Sequence, residues 1–100
     1  MFEKFYCIYV DIKLNVIEKK CLSIGTINKS VVFLREIFRY AFKYNAYGFF
    51  LAHNHPSGDS TPSKEDIYLT EEINSLCLEL KIKLIDHIVV GRNNYNCIDF

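Results

Sequence analysis

Residues 47–66 read Tyr-Gly-Phe-Phe-Leu-Ala-His-Asn-His-Pro-Ser-Gly-Asp-Ser-Thr-Pro-Ser-Lys-Glu-Asp, and this stretch decides the fold. Its first part, residues 47–52, is a short apolar run containing a glycine, which is typical of a buried central strand. Residues 54–62 are rich in proline, serine, glycine and aspartate and predict a loop. A helix is predicted from Ser63 to about Leu80. A buried strand followed by a loop and a helix indicates a sheet with helices packed against it.

The flanking segments extend this pattern to the whole chain. Four further runs have the β-branched or aromatic content of strands: Phe5–Val10, Val16–Ile24, Leu84–Val90 and Tyr95–Ile98. A polar break separates the first two, which predicts an antiparallel hairpin. The resulting order β-β-α-β-α-β-β predicts a three-layer α/β domain with a mixed sheet and helices packed against it.

The helix predicted from Val31 to Tyr44 is unusually apolar. Asn28 or Ser30 could cap its start, and Asn45 could end it in a left-handed conformation. Its apolar side chains form two neighbouring stripes, Val31, Leu34, Phe38 and Ala41 in one and Phe33, Ile37, Tyr40 and Tyr44 in the other. The helix is therefore predicted either to pack between two layers or to form a homodimer interface. In the second helix, the residues predicted to face inward are Ile67, Ile73, Leu76, Cys77 and Leu80.

Composition limits the classes of protein that the chain can represent. Residues 1–100 are predicted to form one domain, because 100 residues suffice for a single core and are too few for two. Twelve basic and twelve acidic side chains cancel, so nucleic acid is not the expected partner. The four cysteines form no C-x-x-C pair and are predicted to be reduced core residues. No leader or bilayer-spanning segment is predicted, which favours a cytoplasmic protein with no membrane partner.

Two histidines at the end of the strand predict a metal site. Side chains alternate along a strand, so His53 and His55 project to the same face. Asp66 falls on the first turn of the next helix, where its carboxylate could reach the same point. Two imidazoles and a carboxylate suit Zn²⁺ and leave a fourth position open, as in catalytic zinc sites. The alternative is structural, since Ser63 and Asp66 also have the spacing of a helix-capping box.

The spacing of these residues resembles the JAMM (MPN+) motif, H-x-H-x7-S-x-x-D, which His53, His55, Ser63 and Asp66 match without a gap. The likeness extends over nearly the whole chain and is closest to the RadC-like branch. It includes Gly25-Thr26, residues 35–38, Asp86-His87-Ile88 and Gly91. This resemblance implies a cytidine-deaminase-like α/β/α sandwich, the fold of JAMM domains.

The resemblance also implies a reaction. A JAMM metallopeptidase hydrolyses peptide or isopeptide amides, including protein conjugates, with Zn²⁺ held by the two histidines and the aspartate. The family places a glutamate just before the first strand, where Glu3 stands here. By this likeness Glu3 is the general base that accepts a proton from the attacking water, and Ser63 stabilises the oxyanion.

Some features depart from the family pattern or have simpler explanations. RadC-like proteins usually carry an N-terminal helix-hairpin-helix region associated with DNA, which this sequence lacks. Cys97 stands where relatives usually place a serine on the last strand. Asp86 and His87 are interpreted as a structural pair, although a role behind the metal ligands stays open. Asp59 is interpreted as a turn residue.

Other functions are weighed against hydrolysis. A nucleobase deaminase requires H-x-E with P-C-x-x-C, and a gluzincin requires H-E-x-x-H; neither pattern occurs. Two alternatives remain open: a non-catalytic, zinc-containing module that binds a partner, and an accessory protein of DNA repair.

Overall fold

The structure, a computed structural model, describes residues 3–22 and 29–100. These residues form strands β1 (Phe5–Val10) and β2 (Val16–Leu22), helix α1 (Lys29–Lys43), strand β3 (Gly48–Asn54), helix α2 (Lys64–Leu80), and strands β4 (Lys83–Val90) and β5 (Tyr95–Cys97). The order is the one that the sequence predicts. Helix α1 begins two residues before the predicted start, and Gly25, Thr26 and Asn28 lie outside the described residues. Asn45 has a φ of 50°, which confirms the left-handed end of α1.

The five strands form one mixed sheet in the order β2-β1-β3-β4-β5. Strand β1 is antiparallel to both of its neighbours, whereas β3 and β4 are parallel because α2 connects them. Strand β5 returns antiparallel to β4. The predicted mixed sheet is confirmed.

One face of the sheet carries the core. Phe5, Cys7 and Tyr9 alternate along β1 and lie beside Phe49 and Leu51 of β3, and all five side chains are buried. Helix α1 packs here, since the Phe33 ring meets the Phe5 ring edge-on at 4.8 Å. Helix α2 contributes Ile73 and Cys77 to the same cluster. The described residues thus supply two of the three predicted layers, with both helices on one face.

Helix α1 uses most of its apolar surface inside this chain. Phe33, Ile37, Phe38 and Ala41 are buried, and the Tyr9 hydroxyl donates a hydrogen bond of 2.6 Å to the Ile37 carbonyl. Side chains from both predicted stripes therefore pack in the core, although helix α1 lies on one face of the sheet and not between two layers of the described residues. The homodimer through this helix stays a prediction.

The inward face of α2 differs from the prediction. Its buried residues are Asp66, Thr70, Ile73 and Cys77. Ile67, Leu76 and Leu80 were predicted to face inward but are 40%, 36% and 41% exposed. The prediction is confirmed for Ile73 and Cys77 and wrong for the other three residues. It counted only apolar residues, whereas the first two buried positions of this face, Asp66 and Thr70, are polar.

The cysteine prediction holds for half of the set. All four thiols are free, but only Cys7 and Cys77 are buried, whereas Cys21 and Cys97 are exposed on the edge strands β2 and β5. Neither helix of the described chain combines the length and the apolar character needed to cross a bilayer.

Candidate metal centre

Three polar side chains converge where β3 ends and α2 begins. His53 is buried on β3, His55 follows the strand and is partly exposed, and Asp66 is buried in the first turn of α2. Their nitrogen and oxygen atoms all lie within 4.8 Å of one another, so the group could hold a metal ion. The structure thus brings together the three ligands that the sequence predicts.

The distances within the group suit a tetrahedral metal site. The Nε2 atoms of His53 and His55 are 3.2 Å apart, and His53 Nε2 lies 3.2 Å from Asp66 Oδ1. His55 Nε2 lies 2.8 Å from Asp66 Oδ2. Ligands held at about 2.0 to 2.1 Å from a tetrahedral zinc ion are about 3.3 to 3.4 Å apart. Two of the three separations therefore need a change of only about 0.1 to 0.2 Å to surround such an ion.

A main-chain carbonyl outside the three-residue group fixes the tautomer of His55. His55 Nδ1 lies 2.8 Å from the Asp59 carbonyl oxygen, which can only accept, so Nδ1 carries the proton. The lone pair of the neutral ring is then on Nε2, the atom that faces Asp66. Desolvation opposes the charged form of His55, but the Asp59 carbonyl and the Asp66 carboxylate outweigh it and raise its pKa.

Asp66 takes part in a helix cap and in the cluster at the same time. Its main-chain N–H donates to Ser63 Oγ at 3.0 Å, and the Ser63 N–H donates to Asp66 Oδ2 at 2.9 Å. This is a complete capping box, so the structural interpretation of these two residues is confirmed. It does not compete with the metal interpretation, because the cap holds the carboxylate against both histidines.

The ionised form of the Asp66 side chain is also favoured. Desolvation favours its neutral acid, but the hydrogen bond from the Ser63 main chain and the nearby His53 outweigh this and lower the pKa of Asp66. The carboxylate is therefore ionised near neutral pH and presents a negative charge to the space between the histidines.

His53 is enclosed by two aromatic rings that the sequence analysis did not connect with it. The Phe5 ring stacks on the His53 ring at 4.3 Å with an interplanar angle of 12°. On its far side, His53 Nδ1 lies 2.8 Å from His87 Nε2. Burial lowers the pKa of His53, with Asp66 and Glu3 opposing the shift. Burial, with His53 nearby, lowers the pKa of His87 to about 3.

Asp86 and His87 do not form a pair of side chains, which corrects the interpretation from the sequence. Asp86 Oδ1 accepts from the His87 main-chain N–H at 2.8 Å, while the His87 ring points to His53. Thr70 was also missed, although its hydroxyl lies 2.7 Å from His87 Nδ1. Its position four residues after Asp66, on the same face of α2, was the available signal.

Glu3 and Ser63, the two catalytic residues that the resemblance implies, both lie near this cluster. Glu3 directly precedes the segment that pairs with β3, where the Lys4 N–H donates to Asn54 Oδ1 at 2.7 Å. Glu3 is exposed, and its charge acts on both His53 and His55. Ser63 is partly exposed at the start of α2.

The loop between β3 and α2 is anchored to the β4–β5 turn. Ser60 is buried and donates to Asn94 Oδ1 at 2.8 Å, and the Arg92 N–H donates to the Gly58 carbonyl at 2.8 Å. A Cβ atom at Gly91 would lie 2.5 Å from the Gly58 carbonyl oxygen, so only glycine allows this approach. Asp59 stabilises the turn by accepting from the Thr61 N–H at 3.0 Å, as predicted for a turn residue. This loop carries the carbonyl that orients His55.

A small cleft of about 240 Å³ opens beside His55. Its lining residues are Asn54, His55, Pro56, Gly58, Val90, Gly91 and Arg92. Arg92 is exposed and forms no ion pair within the described part of the chain. The cleft therefore adjoins one proposed ligand and carries a free cationic side chain.

Comparisons with known proteins agree with the sequence motif. The family model of the RadC-like JAB domain matches residues 1–99. A UPF0758 protein of Thermotoga maritima is 46% identical over 88 residues, which cover 88% of this chain and 40% of that protein. The UPF0758 protein YsxA of Bacillus subtilis is 44% identical over 93 residues, which cover 93% of this chain and 40% of that protein. The chain spans about two fifths of the length of these curated relatives.

Proposed function

This chain belongs to the family of RadC-like JAB domains, and on that premise we propose that it is a zinc-dependent hydrolase of peptide or isopeptide amide bonds. The observation that carries the proposal is the convergence of His53, His55 and Asp66 at the end of β3. The proposal covers this domain, and the substrate and partners of a longer protein would be set partly by other segments.

Zinc is the metal that this donor set favours. Two imidazole nitrogens and one carboxylate oxygen match the ligands of catalytic zinc sites, which keep one position open. When bound there, the ion would polarise the amide carbonyl and make a water molecule acidic enough to lose a proton near neutral pH. His53 and His55 would supply neutral nitrogen ligands, and Asp66 would supply the negative charge.

Glu3 is the proposed general base. Its position just before β1 sets it beside the ends of β1 and β3, where its charge acts on His53 and His55. A carboxylate there can orient the attacking water and accept its proton. It would then deliver that proton to the leaving amine, since one group can act as base and then as acid.

Ser63 is the proposed stabiliser of the oxyanion. Its oxygen accepts from the Asp66 N–H, and its hydroxyl proton has no acceptor among the described residues. A hydroxyl held in this way can donate a hydrogen bond to the negative oxygen that develops on the attacked carbonyl. The capping box therefore fixes the donor as well as the ligand.

The first experiment measures the metal content of the purified protein by elemental analysis, on the wild type and on His53→Ala. The proposal expects about one equivalent of zinc in the wild type and its loss in the variant. A wild type that stays free of zinc after zinc is supplied would refute the metal centre.

The second experiment tests turnover on a panel of peptide and isopeptide substrates. Glu3→Gln should keep the zinc and lose hydrolysis, because the amide cannot accept the proton. Glu18→Gln, which removes a glutamate from the exposed strand β2, is the matched control and should leave turnover unchanged. Equal turnover in Glu3→Gln and the wild type would remove Glu3 as the base. Zinc without turnover in the wild type would favour the non-catalytic module.

A further inference from the structure

A line of hydrogen bonds leads from the back of His53 into the core. His53 Nδ1 lies 2.8 Å from His87 Nε2, and His87 Nδ1 lies 2.7 Å from Thr70 Oγ1. Thr70 Oγ1 in turn lies 2.6 Å from the main-chain oxygen of Asp66. His87 and Thr70 are both 0% exposed, so solvent cannot replace any partner. The line therefore joins the ring of one proposed ligand, His53, to the main chain of another, Asp66.

The chemistry of each group fixes the direction of the two hydrogen bonds that Thr70 makes, with Asp66 and with His87. The Asp66 carbonyl oxygen can only accept, so the Thr70 hydroxyl donates to it. A hydroxyl has a single proton, so Thr70 Oγ1 must accept from its other neighbour. His87 Nδ1 is that neighbour and therefore carries a proton.

The direction of the hydrogen bond between His87 and His53 follows from the neutral state of His87. Its ring is fully buried and no carboxylate lies within hydrogen-bonding distance of it in the described chain, so no direct ion pair compensates a positive charge on the ring. With its one proton on Nδ1, His87 accepts at Nε2, and His53 Nδ1 must donate. The lone pair of His53 is then on Nε2, the atom that faces Asp66.

We infer that Thr70 and His87 are positioning residues that hold His53 in the tautomer whose Nε2 can bind a metal ion. Neither residue touches the proposed ion. Phe5 complements them, because its stacked ring fixes the plane of the His53 ring while His87 fixes the proton. The inference deepens the proposed function and rests on its metal centre, but the tautomer itself can be measured without metal.

The arrangement treats the two histidine ligands differently. The Nδ1 proton of His55 goes to a main-chain carbonyl in a loop, whereas that of His53 goes to another side chain. A substitution can therefore change the tautomer of His53 and leave that of His55 intact. His55 serves as an internal control in every variant.

The test records two-bond ¹H–¹⁵N correlation spectra of the zinc-free protein in alkaline buffer, where the pattern of cross-peaks distinguishes the two neutral tautomers. The chain has three histidines, so the spectrum is simple to assign. The wild type should show His53 and His87 with the proton on Nδ1. His87→Leu should shift His53 toward the Nε2–H form, and His87→Gln should restore the wild-type pattern because its amide oxygen can accept. A wild-type His53 with its proton on Nε2 would overturn the inference.

Zinc affinity, measured by competition with a chromogenic chelator, supplies the second readout. His87→Leu should weaken binding by about 10-fold to 100-fold, and His87→Gln should stay close to the wild type. If His87 only filled space, the apolar leucine would bind zinc as well as the wild type, and this result would overturn the inference.

Two further outcomes separate the inference from the proposed function. If His87→Leu does not fold, Thr70→Val replaces it, since it removes the hydroxyl that accepts the hydrogen bond from His87. An unchanged His53 tautomer in that variant would then count against the inference. If the wild type binds no zinc but His53 carries its proton on Nδ1, the proposed metal centre fails and the tautomer assignment stands.

Discussion

Replacing Ser63 with alanine separates the two roles that this residue has in the proposed site. The substitution removes the oxygen that accepts from the Asp66 N–H at 3.0 Å. It leaves the main-chain N–H of residue 63, which donates to Asp66 Oδ2 at 2.9 Å. The variant therefore loses half of the capping box and the proposed oxyanion donor, but it keeps the hydrogen bond that holds the ligand carboxylate.

In Ser63→Ala, the expected loss of stability is small and the expected loss of turnover is large. Loss of a serine cap costs about 1 kcal/mol, which lowers the melting temperature of a domain of this size by about 4 to 8 °C. Loss of one oxyanion donor lowers kcat by about 100-fold to 1,000-fold. Zinc content should stay near one equivalent, because Asp66 is still held by the main chain. Ser63→Thr, which keeps a hydroxyl, should recover most of the stability and the turnover.

Three assays on the same samples check this expectation: thermal unfolding by circular dichroism in chelator, elemental analysis, and hydrolysis of the substrate found by screening. An unchanged melting temperature in Ser63→Ala would refute the energetic role of the cap. Full turnover at a lower melting temperature would refute the oxyanion role and leave the cap intact.

Three more predictions follow from the geometry. His55→Ala should abolish zinc binding but change the melting temperature of the metal-free protein by little, because the side chain is partly exposed and outside the core. Lowering the pH from 7 to 5 should destabilise the metal-free protein by about 2 kcal/mol through His87, because its pKa is about 3 in the folded protein and 6.5 in the unfolded chain, which therefore binds the proton in this window. In chemical denaturation, His87→Gln should remove this contribution and keep the one that comes from the lowered pKa of His53. Gly91→Ala should cost about 1 to 3 kcal/mol and weaken zinc binding, because its Cβ would lie 2.5 Å from the Gly58 carbonyl oxygen; an unshifted denaturation midpoint would count against this packing argument.

The local patterns predicted the secondary-structure elements and the convergence of His53, His55 and Asp66. Alternating and continuous apolar runs identified all five strands, and Asn45 adopts the left-handed conformation expected at the end of α1. His53, His55 and Asp66 are close in sequence, so a strand, a loop and one helical turn suffice to bring them together. Short-range geometry of this kind can be predicted from spacing alone.

Contacts between distant segments could not be predicted in this way. His87 is 34 residues from His53, and it lies in a strand whose other residues are mostly apolar. Only the parallel register of β3 and β4, which aligns Leu51 with His87, brings the two rings onto one face. The inward face of α2 was misassigned for a related reason, because Thr70 is buried there as a partner of His87 and not as an apolar residue.

The capping box changes how substitutions in related sequences should be interpreted. An aspartate at the position of Asp66 is favoured by helix formation alone, so a lineage that has lost its metal would still tend to retain it. His55 has no such second role, since its side-chain hydrogen bonds go to the Asp59 carbonyl and to the other two proposed ligands. Selection for the fold alone would let this histidine drift first. If the proposed metal centre holds, the residue aligned with His55 is therefore the more sensitive marker of metal binding among homologues.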